Sequence, residues 1–382
     1  MKTLTLSAIL FVTTALSSSA GDTYPLTDTG QDACFDNKAE IACPAAGEAF
    51  AGQDAQFTAT PQSFTDNGDG TISDNVTGLV WQQVPSEERL GWQAAQDYCE
   101  ALEFAGRDNW RTPNLKELFG ISDFSSGWPY IDTSVFTLNG ADKDQQFWSS
   151  NFYYVGTTHG GAASAFGVNH VTGHIKAYPA ETPGDMPEFE QTAETEGAGG
   201  PETGENNTAG PAEFGKLVRC VSGDEIGKNV FTANGDGTVT DAATGLMWAA
   251  ADAGEDMDWQ SALAYGSAAE LAGYDDWRLP NIRELQSIVD YSGVFPAIDA
   301  EVFSWTEANR YYWSSTSAYF SPTDPEHYYA WYVAFGYAPG SDGEDIHGAG
   351  AVRFVGKAAD SPSAEGDYRP LNSVRLVRDV TQ

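Results

Sequence analysis

Few residues in this chain have both the type and the spacing to do chemistry. Asp66, Asp69 and Asp74 bracket Asn67-Gly-Asp-Gly70, and Asp236 and Asp241 stand in the same way about Asn234-Gly-Asp-Gly237. Carboxylates this close suggest a calcium loop, but the spacing misses the twelve-residue pattern and no Glu closes it. Ala233 also stands where the first set has Asp66. Gly and Asn tolerate positive φ, so a tight hairpin turn accounts for the same residues and is the reading adopted. His170 and His174 lie four apart in Asn-His-Val-Thr-Gly-His. A helix would offer both imidazoles to one metal, whereas Val-Thr-Gly favours a strand and turn, which makes them exposed turn histidines. Arg111 and Arg278, beside Trp110 and Trp277, could meet an anionic ligand; an ion pair with a nearby carboxylate is the stronger reading. No Ser or Cys has an activating motif, so catalysis has no candidate residue and no cofactor other than calcium is implied.

These residues recur because the chain repeats itself. Residues 64–118 and 231–285 align without a gap at an offset of 167, with 28 identities in 55 positions. The echo continues more loosely: Phe147-Trp-Ser-Ser against Tyr312-Trp-Ser-Ser, Ala165-Phe-Gly against Ala334-Phe-Gly, Leu217-Val-Arg-Cys-Val against Ser373-Val-Arg-Leu-Val. A period this long is a domain, not a solenoid unit. The expected organisation is a segment over 21–62, a first domain over 63–223 and a second over 230–382, each large enough to bury its own core. Residues 181–213, with nine acidic residues, no basic ones, six Gly and four Pro, read as a disordered acidic loop. Residues 339–351 and 358–367 look like a milder version of it.

Within each repeat the pattern predicts a hairpin ending on Trp81 or Trp248. A helix then carries the stripe Trp92, Ala95, Cys99, Leu102, or Trp259, Ala262, Gly266, Ala269. Gly106 and Gly273 are placed to stop that helix. A second helix starts at Asn114 or Asn281, with Glu117 or Glu284 three residues on to complete a capping box. Aromatic strands and loops follow. In 327–337, Tyr329, Trp331, Val333, Phe335 and Tyr337 share one strand face.

Charge and cysteines bear on compartment. Nineteen basic against 55 acidic residues give a net charge of −36 over 382 residues, which disfavours nucleic acid, anionic membranes and other polyanions as partners. Lys2, the apolar run Leu4–Leu16 and Ser17-Ser-Ser-Ala20 have the order of a secretory signal over residues 1–20. No later stretch could span a bilayer. Export fits four cysteines. Cys34 and Cys43 could close a small ring, while Cys99 and Cys220 are replaced together, by Gly266 and Leu376, as a bonded pair would be. Cys34–Cys43 with Cys99–Cys220 is the preferred connectivity.

The repeated order NGDGT, TGL-x-W, W-R-x-P-N-x-x-E-L, W-S-S and V-R-x-V resembles the Lcl C-terminal domain family, a domain family of unknown function, in two tandem copies. The resemblance implies an α+β, C-type-lectin-like fold, with two helices and a small twisted antiparallel sheet in each copy. The Trp-Arg-x-Pro-Asn turn is also similar to one in formylglycine-generating enzymes, whose cysteine pair would here have to be Cys99 and Cys220. The expected function is an exported, non-enzymatic binding or adhesion protein of the periplasm, extracellular space or cell surface of a bacterium, recognising a glycan or protein surface. Two similar sites would raise its avidity. An exported enzyme of the formylglycine-generating type and an assembly subunit are the alternatives. Aromatic residues make up 13% of the chain. Those in the loops after each helix pair, chiefly Trp128, Tyr154, Trp305 and Tyr328, are the expected ligand-binding residues.

Overall fold

The computed structural model describes residues 24–140, 145–159, 161–180, 215–340, 343–363 and 369–380. The signal predicted over 1–20 and the acidic loop predicted over 181–213 lie outside the described residues.

A short N-terminal hairpin, β1 (Cys34–Phe35) and β2 (Glu40–Ile41), is closed by the Cys34–Cys43 disulfide. The first repeat then runs β3 (Phe64–Asp66), β4 (Thr71–Asp74), β5 (Val80–Gln82), α1 (Trp92–Glu100), β6 (Trp110–Arg111), α2 (Leu115–Gly120), β7 (Gln146–Phe152), β8 (Ser164–Asn169), β9 (Ile175–Pro179) and β10 (Val221–Ser222). The second runs β11 (Phe231–Ala233), β12 (Thr238–Asp241), β13 (Leu246–Ala249), α3 (Trp259–Ala268), α4 (Ile282–Ser287), β14 (Tyr311–Ala318), β15 (Tyr329–Ala334), β16 (Ala351–Gly356) and β17 (Val377–Asp379). The class is α+β.

Local chemistry explains the repeated parts. Gly68 and Gly70, at φ +73 and +86, make the turn between β3 and β4, and Gly235 and Gly237 do the same between β11 and β12. Trp92, Ala95 and Cys99 bury one face of α1, as Trp259, Ala262 and Gly266 do for α3. Both capping boxes form: Asn114 accepts from Glu117 N and Asn281 from Glu284 N, while each Glu side chain accepts in return from its Asn N. The expected helix-stopping role of Gly106 and Gly273 is not what they do, since α1 and α3 already end at Glu100 and Ala268. Ala105-Gly106 and Ala272-Gly273 all have positive φ and turn two bridges, Phe104 to Arg107 and Leu271 to Tyr274.

The copies replace one staple with another. Cys99 on α1 is bonded to Cys220 before β10. In the second copy, a Cβ on Gly266 would stand 2.7 Å from Leu279 N, so α3 lies directly on the backbone that follows Trp277. A glycine there permits a close approach that a side chain would block.

The repeat does not announce that the two copies are fused. Strands β7–β9 and β14–β16 form a single six-stranded sheet, ordered β14-β15-β16-β9-β8-β7. At the seam Val352 pairs antiparallel with Ile175. Ile175 stands opposite Val168, which stands opposite Phe147; Val352, Val333 and Tyr312 form the matching row. Equivalent residues therefore meet each other, as at a two-fold interface between identical subunits. This register matches Ala165-Phe-Gly with Ala330-Trp-Tyr and not with the Ala334-Phe-Gly expected from the sequence. Helices α2 and α4 also meet. One apolar cluster draws on both copies, from Ile72, Trp81 and Phe147 to Trp248, Tyr312 and Trp331, while smaller clusters lie under α1 and under α3. Thus each copy buries a core of its own and shares a larger one. Strand β15 is buried on both faces, with Trp331 and Val333 in the shared core and Tyr332 and Ala330 in that of the second copy. Residues 343–351, expected to resemble a solvated loop, instead bury His347, Gly348, Ala349 and Gly350 as they lead into β16.

Candidate functional site

The scaffold residues are quickly distinguished from the rest. Trp110 and Trp277 are buried, and each indole donates within its own turn, to Phe104 O and Leu271 O. Arg111 donates through both terminal nitrogens to Glu117, at 2.7 and 2.7 Å, and Arg278 to Glu284 at 2.6 and 2.7 Å. Both arginines are thus committed to the capping-box carboxylates. Arg219 and Arg375, in the closing Val-Arg segments, are buried, and each donates to three backbone carbonyls: Gln82, Gln83 and Thr137 for one, Ala249, Ala250 and Ser304 for the other. Such arginines tie hairpin to loop.

The three aspartates of the first hairpin do not converge. Asp66 accepts from Gly68 N, Asp69 from Thr71 N and Oγ1, and Asp74 from Val76 N and Thr77 N. Each carboxylate caps its own turn; the Thr71 hydroxyl holds Asp69 below the usual carboxylate range. Among the described residues no group of three or more His, Cys, Asp or Glu is placed to hold a metal.

His170 and His174 do lie in a tight turn, between β8 and β9, but both are buried. The turn expected to face solvent is enclosed: His174 packs against Trp331 and Phe354 of the second copy, while His170 packs on Phe147 and accepts at its carbonyl from Tyr130 N, both of the first. Burial pushes His170 down to about 3 and His174 well below its ordinary value. Cys99 and Cys220, the only positions open to a catalytic cysteine pair, are joined to each other.

The four expected aromatics have different surroundings. Tyr154 is 46% exposed, whereas Trp128, Trp305 and Tyr328 are half-buried and pack against the shared core. Tyr328 also lies beneath the Lys38 ammonium of the N-terminal hairpin. What sequence reasoning missed is the company Tyr154 keeps. Its Cβ lies against Gly293, the start of an exposed run with Val294 at 41% and Phe295 at 41%. Tyr337, 40% exposed, lays its ring 4.5 Å from that of Phe295. Tyr154 comes from the first copy, the other three from the second. A sequence signal existed: Phe295-Pro296 stands 167 residues after Trp128-Pro129.

The equivalent face on the other side is overlaid. There Tyr319 takes the place of Tyr154, its hydroxyl donating to Ser126 O near Trp128. The Tyr319 ring packs on His327, which stacks at 3.6 Å on Phe35 of β1. Gly30 runs beside Asp123 and Ser125. The N-terminal segment, which has no counterpart before the second copy, covers one of the two related faces and leaves the Tyr154–Phe295–Tyr337 face open.

None of the curated proteins and none of the solved structures compared matches the chain. The family model of the Lcl C-terminal domain matches residues 70–185 and 237–356, in each copy from the second strand of the hairpin through the third strand of the shared sheet. With both matches falling on the elements that build the fused core, the chain belongs to the Lcl C-terminal domain family.

Proposed function

We propose that this is an exported, non-enzymatic binding protein that contacts an uncharged glycan through the open face made by Tyr154, Val294, Phe295 and Tyr337. The observation that carries the reading is that face: four large apolar side chains, each at least 40% exposed, set on two interlocked repeats. Aromatic rings held by a rigid scaffold bind with little loss of side-chain entropy, and their faces suit the apolar side of a sugar ring. The net charge of −36 favours a neutral ligand over a sulfated one. Two disulfides suit an oxidising compartment, in keeping with the signal-like N-terminus. A C-type-lectin-like arrangement of each repeat fits the same reading, with the helix-to-last-strand disulfide at the base of the first. Because the equivalent face is covered, avidity through this face requires more than one chain.

A glycan array, probed with and without calcium beside a copper-loading assay, tests this. The expected outcome is binding of neutral glycans, independent of calcium, that Phe295→Ala with Tyr337→Ala weakens by tenfold or more, roughly the loss of two stacking contacts. Copper-dependent turnover with no glycan bound would replace the reading with the enzymatic one.

A further inference from the structure

In the first copy the capping-box side chains have a second task. Ile226, in the segment that leaves β10, donates its N–H to Glu117 Oε1 at 3.0 Å, and its carbonyl accepts from Asn114 Nδ2 at 2.7 Å. The same amide group donates to Glu225 Oε1 at 3.0 Å, and Arg111 Nε donates to Gly223 O at 3.2 Å. Gly223, at φ +125, turns the chain out of β10 toward these groups, and the Ile226 side chain packs onto the shared core. One residue of extended backbone is thus held at both its N–H and its carbonyl, as a neighbouring strand would hold it.

The second copy has the same receptor, Arg278, Asn281 and Glu284, in the same cap geometry. Asp379 Oδ1 meets Arg278 Nη2 at 3.4 Å and the Phe57 ring lies against its guanidinium, but among the described residues no backbone group pairs with Glu284 Oε1 and Asn281 Nδ2 as Ile226 does with their counterparts. Asp379 stays opposite Leu246, and Val380 N donates to Gly245 O, so the backbone follows β13 instead of crossing to Asn281. Asn281 Nδ2 has no acceptor among the described residues. In front of it lies a cleft of about 640 Å³ walled by Leu26, Asp54, Phe57–Thr60, Leu246, Arg278 and Glu284. A second group there is also unused: Ser315, 1% exposed and on the same wall, has no partner for its hydroxyl. Buried polar groups without partners are uncommon, and a ligand is one explanation. The α4 amides play no part, since Glu284 N donates to Asn281 Oδ1 and Ile282 N to Thr316 Oγ1. It is the side-chain pair that stands ready.

We infer that this cleft is a docking site for an extended peptide segment of a partner protein, held as the first copy holds Glu225-Ile226-Gly227. The bound residue donates its N–H to Glu284, accepts from Asn281 Nδ2, and lays an aliphatic side chain against Leu26 and Leu246. A glycine beside that residue lets the backbone approach closely.

The probe is the blocked, dye-labelled peptide Gly-Asp-Glu-Ile-Gly-Lys, the sequence of residues 223–228, titrated into the full chain by fluorescence polarisation. Saturable binding is expected, weakened roughly tenfold by Asn281→Ser, because serine keeps a cap oxygen but has no amide to donate. A similar loss is expected when Ile in the peptide becomes Ser. Asn281→Asp, which also keeps the cap, takes the place of the serine variant should that one melt early. Absence of binding at millimolar peptide, or equal binding by the variants, would overturn the inference. So would sedimentation showing that the chain pairs with itself through Asn281, because the occupant would then be a second copy.

Discussion

At the residue scale, one tryptophan and one phenylalanine separate scaffold from surface. Trp277 is buried against its own turn, so Trp277→Ala should lower stability by about 3–5 kcal/mol. Phe295→Ala, on the open face, should change it by no more than about 0.5 kcal/mol while weakening ligand binding. Urea unfolding of the two variants checks this; the reverse ranking would mean that scaffold and surface have been exchanged. Asp54 makes a different prediction. Burial pushes its carboxyl up to about 7, although Thr316 and Thr29 donate to it at 2.5 and 2.8 Å. A raised carboxyl contributes stability that is fully present below the unfolded value of 3.8 and lost as pH rises through about 7. Asp54→Asn should therefore raise the melting temperature at pH 8 and leave it nearly unchanged at pH 4. An equal shift at both pH values would show that the carboxyl is not the titrating group.

At the scale of elements, the same helix is fastened in two ways. The Cys99–Cys220 bridge spans 121 residues of sequence, so its reduction should cost roughly 3–5 kcal/mol in the chain-entropy view. In the second copy the fastening is steric fit. Gly266→Ala would press a methyl against Leu279 N, and the displaced helix should cost about 1–3 kcal/mol. Denaturant melts of the oxidised, reduced and Gly266→Ala proteins measure both. A neutral Gly266→Ala would show that α3 can move aside freely.

At the scale of the molecule, a shared sheet and shared core couple the copies. Reduction of Cys99–Cys220 should lower a single cooperative transition instead of splitting off the first repeat, and calorimetry with two resolved peaks would contradict that. Four histidines are shielded as well, His174 and His347 at the contact between the copies. Burial, helped by the neighbouring charge of Arg219, pushes His170 down to about 3; burial and Lys357 do the same for His327. His174 and His347 are lowered by burial and by the charges of Lys176 and Arg353. Groups lowered from 6.5 contribute stability that is complete above that value and lost as pH falls toward about 3, because the unfolded chain takes up protons that the folded one refuses. The transition should therefore move down steadily over that window, and a flat profile would mean that these imidazoles are solvated.

The sequence by itself determined what short-range chemistry dictates. The NGDG turns, the helix stripes and the Asn–Glu capping boxes depend on residues within a few positions of each other, and two aligned copies made each pattern visible twice. The disulfide pairing was legible for the same reason, since Cys99 and Cys220 vanish together in the second copy. Only the tertiary structure decided what depends on one copy meeting the other. That His174 is buried against Trp331 and Phe354, that β15 has no solvent face, and that Tyr154 meets Gly293 beside Phe295 all go with Ile175 pairing with Val352 across 177 residues. Pairing at that separation is selected by the burial of whole faces, not by any local preference of the residues that make it. The receptor at Asn281 belongs to the same class: its residues match those of the first copy, and the described backbone of Asp379 and Val380 is held against β13 instead of crossing to it.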